Sequence, residues 1–116
     1  MIESATAYIL GNGVELHAEH PDSFWIPSDA DKTALAPGDF AKLVFIPTDG
    51  EVAAERMWVE VVAVGPDEGY RISKKQLAGT LANDPMFVDE LEHGDVVLFH
   101  LDNVINIAEP DDGGAA

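Results

Sequence analysis

The stretch from residue 55 to residue 64, Glu-Arg-Met-Trp-Val-Glu-Val-Val-Ala-Val, is the longest run of β-branched and aromatic residues in the chain. Such residues favour strands, and the Gly-Pro-Asp sequence that follows is a turn signal. Side chains alternate along a strand, so one face should carry Met57, Val59, Val61 and Ala63, and the other Arg56, Trp58, Glu60, Val62 and Val64. The first is expected to be a core face. The second places a tryptophan between an arginine and a glutamate, and it faces either another layer or a binding partner.

The length of the chain, 116 residues, suits one domain with a buried core. It contains no cysteine, which excludes disulfides, thiolate metal sites and a cysteine nucleophile. No apolar run approaches the roughly 18 residues of a membrane span, and the N-terminus lacks the pattern of a secretory signal. We therefore predict a cytoplasmic protein without membrane association. Residues 1 to 108 are expected to form a single β-rich domain, and residues 109 to 116 a disordered acidic tail.

The charge balance is strongly negative, with 22 acidic residues against 6 basic ones and a formal net charge of −16. Such a surface repels phosphate backbones, which argues against direct binding of nucleic acid or anionic lipid. It is compatible with a basic protein partner, with a solubility or high-salt adaptation, or with mimicry of a polyanion. Mimicry needs the carboxylates on one face, whereas here they are spread through nearly every loop.

Hydrophobic segments separated by turn signals predict a mainly β fold. Further strands are expected at residues 40 to 46, 77 to 82, 95 to 101 and, more briefly, 104 to 107. One short helix is expected near residues 29 to 35, because Ser28 is a favoured N-cap residue and Asp29 and Asp31 suit the first helical turn. The predicted architecture is a small twisted antiparallel sheet that closes toward a barrel. An α+β fold with a minor helix is the alternative.

Three local patterns carry further expectations. Asn12-Gly13 between two apolar segments predicts a β-hairpin turn, with a helix over residues 5 to 10 as the alternative. Residues 70 to 72 are expected to form a return strand. Leu35-Ala-Pro-Gly-Asp39 is echoed by Leu91-Glu-His-Gly-Asp95, each before a hydrophobic strand. The glycine should adopt a backbone angle that other residues avoid, and the aspartate should accept hydrogen bonds from nearby amides.

Motifs for catalysis or metal binding are weak. His17, Glu19, His20 and Asp22 have metal-ligand residue types, but their position in a polar segment before or after a proline favours a solvated loop. No serine lies in a nucleophile-elbow sequence, and there is no glycine-rich phosphate or dinucleotide motif. Carboxylate pairs are inevitable at this acidity and carry little weight. We predict no cofactor and no metal, and we favour a protein without enzymatic activity.

Several segments together are similar to a known family. They are Arg-Met-Trp-Val-Glu-Val at residues 56 to 61, Gly-Thr-Leu-Ala-Asn-Asp-Pro at 79 to 85 and Gly-Asp-Val-Val-Leu-Phe at 94 to 99. With Phe24, Ile26-Pro27-Ser28 and Leu35-x-x-Gly38-Asp39-x-x-Lys42-Leu43 upstream, they resemble the YegJ-like family of bacterial domains of unknown function over roughly residues 24 to 107. The segment from residue 72 to 78 is longer than the family's usual link. The resemblance implies a small β-rich fold and no particular activity.

Two groups of side chains are candidate binding residues. Tryptophan and arginine dominate interface hot spots, which nominates a partner-binding group of Arg56, Trp58, Glu60, Asn83 and Asp84. The structural alternative is that another layer covers Trp58, that Arg56 pairs with a carboxylate and that Asn83 caps a turn. A second candidate group is basic and consists of Arg71, Lys74 and Lys75. It lies in or beside the longer link, so any role it has would be specific to this protein and not shared by the family.

Three functional hypotheses follow. The leading one is a non-catalytic protein-interaction module that binds a partner, expected to be basic, through the face of Arg56, Trp58 and Glu60. A polyanion mimic that antagonises a basic nucleic-acid-binding protein is the second. The third is an enzyme, which would require a concave pocket with converging polar groups.

Overall fold

The computed structural model describes residues 8 to 22, 26 to 48, 54 to 83 and 91 to 108. These residues form a mainly β fold, a nearly closed, barrel-like antiparallel sheet with two short helices, which confirms the predicted fold class. The strands are β1 (Tyr8–Leu10), β2 (Phe40–Pro47), β3 (Glu55–Val64), β4 (Gln76–Leu81), β5 (Val96–His100) and β6 (Asn106–Ile107). The helices are α1 (Gly13–Glu19) and α2 (Asp29–Thr33), and a 3-10 turn covers Leu101–Asn103. The proposed tail lies outside the described residues.

The sheet follows the order β1-β2-β3-β4-β5, with β6 beside β2. One edge of β2 pairs with β3, and the opposite edge pairs first with β6 and then with β1. Sequential antiparallel strands need only short connections, which is why the turn signals in the sequence locate them well. The strand boundaries agree with the predicted ones to within one or two residues.

The main core lies inside the curved sheet. It is built from inward-facing residues of β2, β3, β4 and β5, completed by Leu35 and Val104. Alternation along β2 places Ala41, Leu43 and Phe45 inside with no exposed surface. Along β3, Met57, Val59 and Val61 are buried as predicted.

A β-bulge ends this regular alternation near the end of β3. Val61 lies opposite Gly79, but Ala63 lies opposite Ala78, so two steps along β3 match one step along β4. A bulge of this kind re-aims the side chains beyond it. Ala63 therefore packs with Ala78 and Ile72 in a separate small cluster, not in the main core where simple alternation placed it.

The two Leu-x-x-Gly-Asp turns adopt the same geometry, as predicted. Gly38 and Gly94 have φ of 100° and 96°, a region that strongly favours glycine. In each turn the aspartate Oδ2 accepts a hydrogen bond from the amide three residues earlier, at 2.9 Å for Asp39 and 2.9 Å for Asp95. Each glycine amide also donates to the neighbouring strand, to Val61 or Leu81. The turns thus attach the starts of β2 and β5 to the sheet.

Two predictions about local structure are wrong. Asn12-Gly13 is not a hairpin turn, because Asn12 caps α1: its side chain accepts a hydrogen bond from the Glu15 amide at 3.1 Å. The polar segment predicted as a loop is therefore partly helical. Residues 70 to 72 form no strand, and only an isolated bridge joins Asp67 to Ile72. The second helix is as predicted in position, with Ser28 as its N-cap and its end at Thr33.

One side chain joins the two ends of the sheet. Asn103 Nδ2 donates to the carbonyl of Gly11 after β1 at 3.0 Å, while its Oδ1 accepts from the amide of His100 at 2.8 Å.

Tyr8 packs against Phe45, with ring centroids 5.1 Å apart. Burial, and secondarily the charge of Asp95, raises the pKa of the Tyr8 hydroxyl. No helix within the described segments is long and apolar enough to cross a membrane.

Candidate functional site

The first candidate region lies on the outside of the sheet, where β2 and β3 pair. Arg56, Trp58 and Glu60 alternate with core residues and so share the outer side of β3. Lys42 lies directly opposite Trp58, and its Nζ is 5.3 Å from the centroid of the tryptophan ring. A cation over an aromatic face at this distance is attracted by the ring's quadrupole. The structure thus brings the three predicted residues of β3 together and adds a lysine to them.

The backbone of Trp58 is held on both sides. Its amide donates to Asn83 Oδ1 at 2.6 Å, and its carbonyl accepts a hydrogen bond from the Ala82 amide at 2.9 Å. Asn83 therefore supports the tryptophan through a long-range hydrogen bond to its backbone amide. Asp84, the last residue of the predicted group, lies outside the described residues.

Further side chains, both apolar and polar, continue this surface across the sheet. Phe40, Glu60, Thr80 and Val96 form one cross-strand row, because each is the register partner of the next. Phe40 is 37% exposed, Val96 53% and, beside it on β5, Leu98 49%. We call this surface the outer face, defined by Phe40, Lys42, Arg56, Trp58, Glu60, Thr80, Val96 and Leu98.

The charge of the outer face differs from that of the whole protein. It holds two cations, Lys42 and Arg56, and one carboxylate, Glu60, for a local balance of +1 against −16 overall. The tryptophan between them is half-buried. An aromatic centre with a polar surround is the usual composition of a protein-binding hot spot.

The second candidate region is a cavity of about 400 Å³ beyond the bulge. Three lysines line it, Lys32 from α2 and Lys74 and Lys75 from the turn before β4. The apolar part of the wall is formed by Leu35, Val64, Leu77 and Leu101. A smaller cavity of about 230 Å³ adjoins it and shares Lys32, Thr33, Lys75 and Leu101. We call the larger space the lysine cavity.

The predicted basic group is divided by the structure. Lys74 and Lys75 line the lysine cavity, whereas Arg71 lines a different cavity with Asp67 and Glu68. Arg71 and Lys75 are the two non-glycine residues with positive φ in the described part of the chain, at 59° and 72°. Both residues lie in the same hairpin, and they line different cavities.

Lys32 is the residue that the sequence analysis missed. It is 2% exposed and is the only buried charged residue within the described segments. Its ammonium lies 3.8 Å from Asp29 Oδ1, beyond hydrogen-bonding distance, and the Asp29 side chain is fully exposed. The sequence could have indicated that Lys32 is buried. Lys32 and Leu35 are three residues apart in the predicted helix, so they would share a helix face, and Leu35 is a core residue.

The described histidines and carboxylates form no group of three or more that could hold a metal ion. His17 and Glu19 belong to α1, and His100 Nδ1 accepts a hydrogen bond from the Asp102 amide at 3.0 Å. In the described residues, the outer face and the lysine cavity each bring polar groups together beside apolar side chains.

Comparison with protein-family models, with curated proteins and with solved structures yields no match to this chain. The resemblance to the YegJ-like family accordingly stays a prediction, and functional inference rests on the geometry of these two regions.

Proposed function

We propose that this protein is a non-catalytic interaction module that binds a basic protein partner through its outer face. The observation that carries the proposal is Trp58, a half-buried indole on a strand whose backbone is held on both sides by Asn83 and Ala82. A tryptophan fixed in this way loses little conformational entropy on binding, which favours it as an anchor.

The surroundings of Trp58 support the same role. Exposed Phe40 on β2 and exposed Val96 and Leu98 on β5 add apolar surface at the two ends of the cross-strand row, with Glu60 and Thr80 between them. Partners that present apolar surface can displace water there, while the charged groups around it set orientation. Lys42 and Arg56 suit carboxylates on the partner, and Glu60 suits a cation.

The overall charge supports a basic partner. A net charge of −16 attracts positively charged proteins over distances near the Debye length and raises their association rate. Partner carboxylates that pair with Lys42 and Arg56 then favour the outer face over the acidic remainder of the surface. Binding should weaken as salt increases, because the attraction is screened.

The test uses a photo-crosslinking amino acid at Val96, on the outer face, with the same substitution at Val14 as the matched control. Val14 is a similarly exposed valine on α1 and is not part of the outer face. In native-host extract, we expect the Val96 probe to capture one basic protein, identified by mass spectrometry, and the Val14 probe to capture none. Capture should be lost at high salt and in a Trp58→Ala background whose NMR spectrum shows a folded protein.

Quantitative binding to that purified partner completes the test. We expect Trp58→Ala to weaken the affinity by about 30-fold or more, as for a hot-spot residue. Equal capture from Val14, capture of an acidic protein, or a crosslinked dimer of this chain would each contradict the proposal.

A further inference from the structure

We propose that the lysine cavity binds a small organic anion with an apolar body, of which a medium-chain carboxylate is the simplest representative. The proposal is independent of partner binding, because the lysine cavity and the outer face share no residue. A volume of about 400 Å³ lies in the range of small-molecule sites.

Basic residues are concentrated at the lysine cavity. The whole chain has six lysines and arginines, and three of them line this one cavity. In a protein with 22 acidic residues, random placement would instead surround each lysine with carboxylates. Three lysines around one space give it a positive potential that favours an anion.

Lys32 is buried, and its charge partner is distant. A buried ammonium needs a charge partner and hydrogen-bond acceptors, and in the described residues it has only Asp29 at 3.8 Å. Lys32 also lines both adjoining cavities. A carboxylate there would supply the missing acceptor.

Hydrogen bonds fix the backbone of the turn that carries Lys74 and Lys75. The Ser73 amide donates to Gln76 Oε1 at 2.7 Å, and the Leu101 amide donates to the Lys75 carbonyl at 3.0 Å. Lys75 itself adopts a φ of 72°, an unfavourable conformation for a residue with a side chain. A strained position that directs a lysine at a cavity is typical of a binding site.

The apolar wall determines the class of ligand. Leu35 and Leu77 belong to the main core, and Leu101 packs against it, so this wall is a fixed surface. Val64 is 38% exposed and Leu101 is half-buried, so a ligand with a hydrocarbon portion would remove apolar surface from water there, which an inorganic anion would not do. Charge and apolar body are therefore both required.

The experiment titrates the ¹⁵N-labelled 116-residue chain with octanoate, with octanol and with acetate while following amide chemical shifts. Octanol has the apolar body without the charge, and acetate has the charge without the body. We expect saturable shifts with octanoate at Thr33, Gln76 and Leu101, and binding at least about tenfold weaker for octanol and acetate.

Variants locate the site. Lys32→Met should weaken octanoate binding about tenfold or more, since it removes a charge-assisted contact, whereas the matched Lys42→Met on the outer face should leave it within about twofold. Lys74→Gln with Lys75→Gln provides a second test that does not alter a buried residue. Absence of saturable shifts, octanol or acetate binding as tightly as octanoate, or equal losses in Lys32→Met and Lys42→Met would overturn the proposal.

Discussion

The two halves of β3 use their side chains differently. Before the bulge, regular alternation buries Met57 and Val59 in the main core and leaves Trp58 on the outer face. After it, Ala63 enters the small second cluster and Val64, opposite Leu77, lines the lysine cavity. One strand thereby contributes to two surfaces of opposite character, an aromatic face and a cationic cavity.

This difference shows how a small sheet can form two separate sites. A regular strand presents one face to the core and one to solvent, so it can contribute to a single outer surface. A bulge exchanges the faces without an additional strand. The hairpin beyond it, closed by the bond from the Gly65 amide to the Gln76 carbonyl at 2.8 Å, then places Lys74 and Lys75 over the apolar wall.

The largest expected effect is the difference in stability between a substitution inside the sheet and one on the outer face. Leu43→Ala should lower the free energy of unfolding by about 3 to 4 kcal/mol, because Leu43 has no exposed surface and leaves a cavity. Leu98→Ala is the matched control, and it should cost less than about 1 kcal/mol since half of Leu98 is exposed. Urea denaturation measures both, and similar losses would show that Leu98 is a core residue.

The next effect tests the hairpin that forms the cavity. Gly65→Ala should destabilise the protein by about 3 kcal/mol, because the added methyl would overlap the Ser73 carbonyl oxygen and crowd that of Gln76. Gly69→Ala in the same hairpin meets only the Asp67 side chain and should change stability by less than about 1 kcal/mol. Thermal unfolding distinguishes them, and a stable Gly65→Ala protein would contradict the close approach.

A smaller effect concerns the support of Trp58. Asn83→Ala should cost about 1 to 2 kcal/mol, because it leaves the partly buried Trp58 amide without its acceptor. Asn83→Asp retains an acceptor oxygen and should lose less than half as much. Chemical denaturation gives the two values, and equal losses would mean that the hydrogen bond is unimportant.

The smallest expected effect is the change in stability when Lys42 or Lys32 is replaced by methionine, and the two changes should differ in sign. Lys42→Met should destabilise by about 0.5 kcal/mol through loss of the contact with the Trp58 ring. Lys32→Met should leave stability unchanged or raise it by about 1 kcal/mol, because it removes a buried charge with a distant partner. Destabilisation by both substitutions, measured by calorimetry without ligand, would show that Lys32 is already well paired.

Much of the fold could be predicted because the determining signals are local. Hydrophobic segments, turn residues and the two Leu-x-x-Gly-Asp turns locate the strands, and the geometry of those turns is as predicted. Asn12 was misjudged since Asn-Gly suits both a hairpin turn and a helix N-cap, and only the rest of the structure selects the cap. Similarly, no residue near Val62 marks the bulge, which depends on the pairing with β4.

The candidate sites were only partly predictable for the same reason. Alternation alone placed Arg56, Trp58 and Glu60 on one face. The position of Lys42 opposite Trp58 depends on cross-strand register, which the sequence of either strand does not specify. Lysines are also almost never buried, so general preference argued against Lys32 even though its spacing to Leu35 placed both on one helix face.

The central claim, that a bulge turns the end of β3 from the outer face toward the lysine cavity, is tested most directly by cross-strand nuclear Overhauser effects in the isotope-labelled protein. The structure requires contacts between Ala63 and Ala78 and between Val64 and Leu77. A regular ladder continued from the Val61–Gly79 pair would instead pair Val62 with Ala78 and Ala63 with Leu77. Observation of that second set would contradict the account and return Val64 to the same face as Trp58.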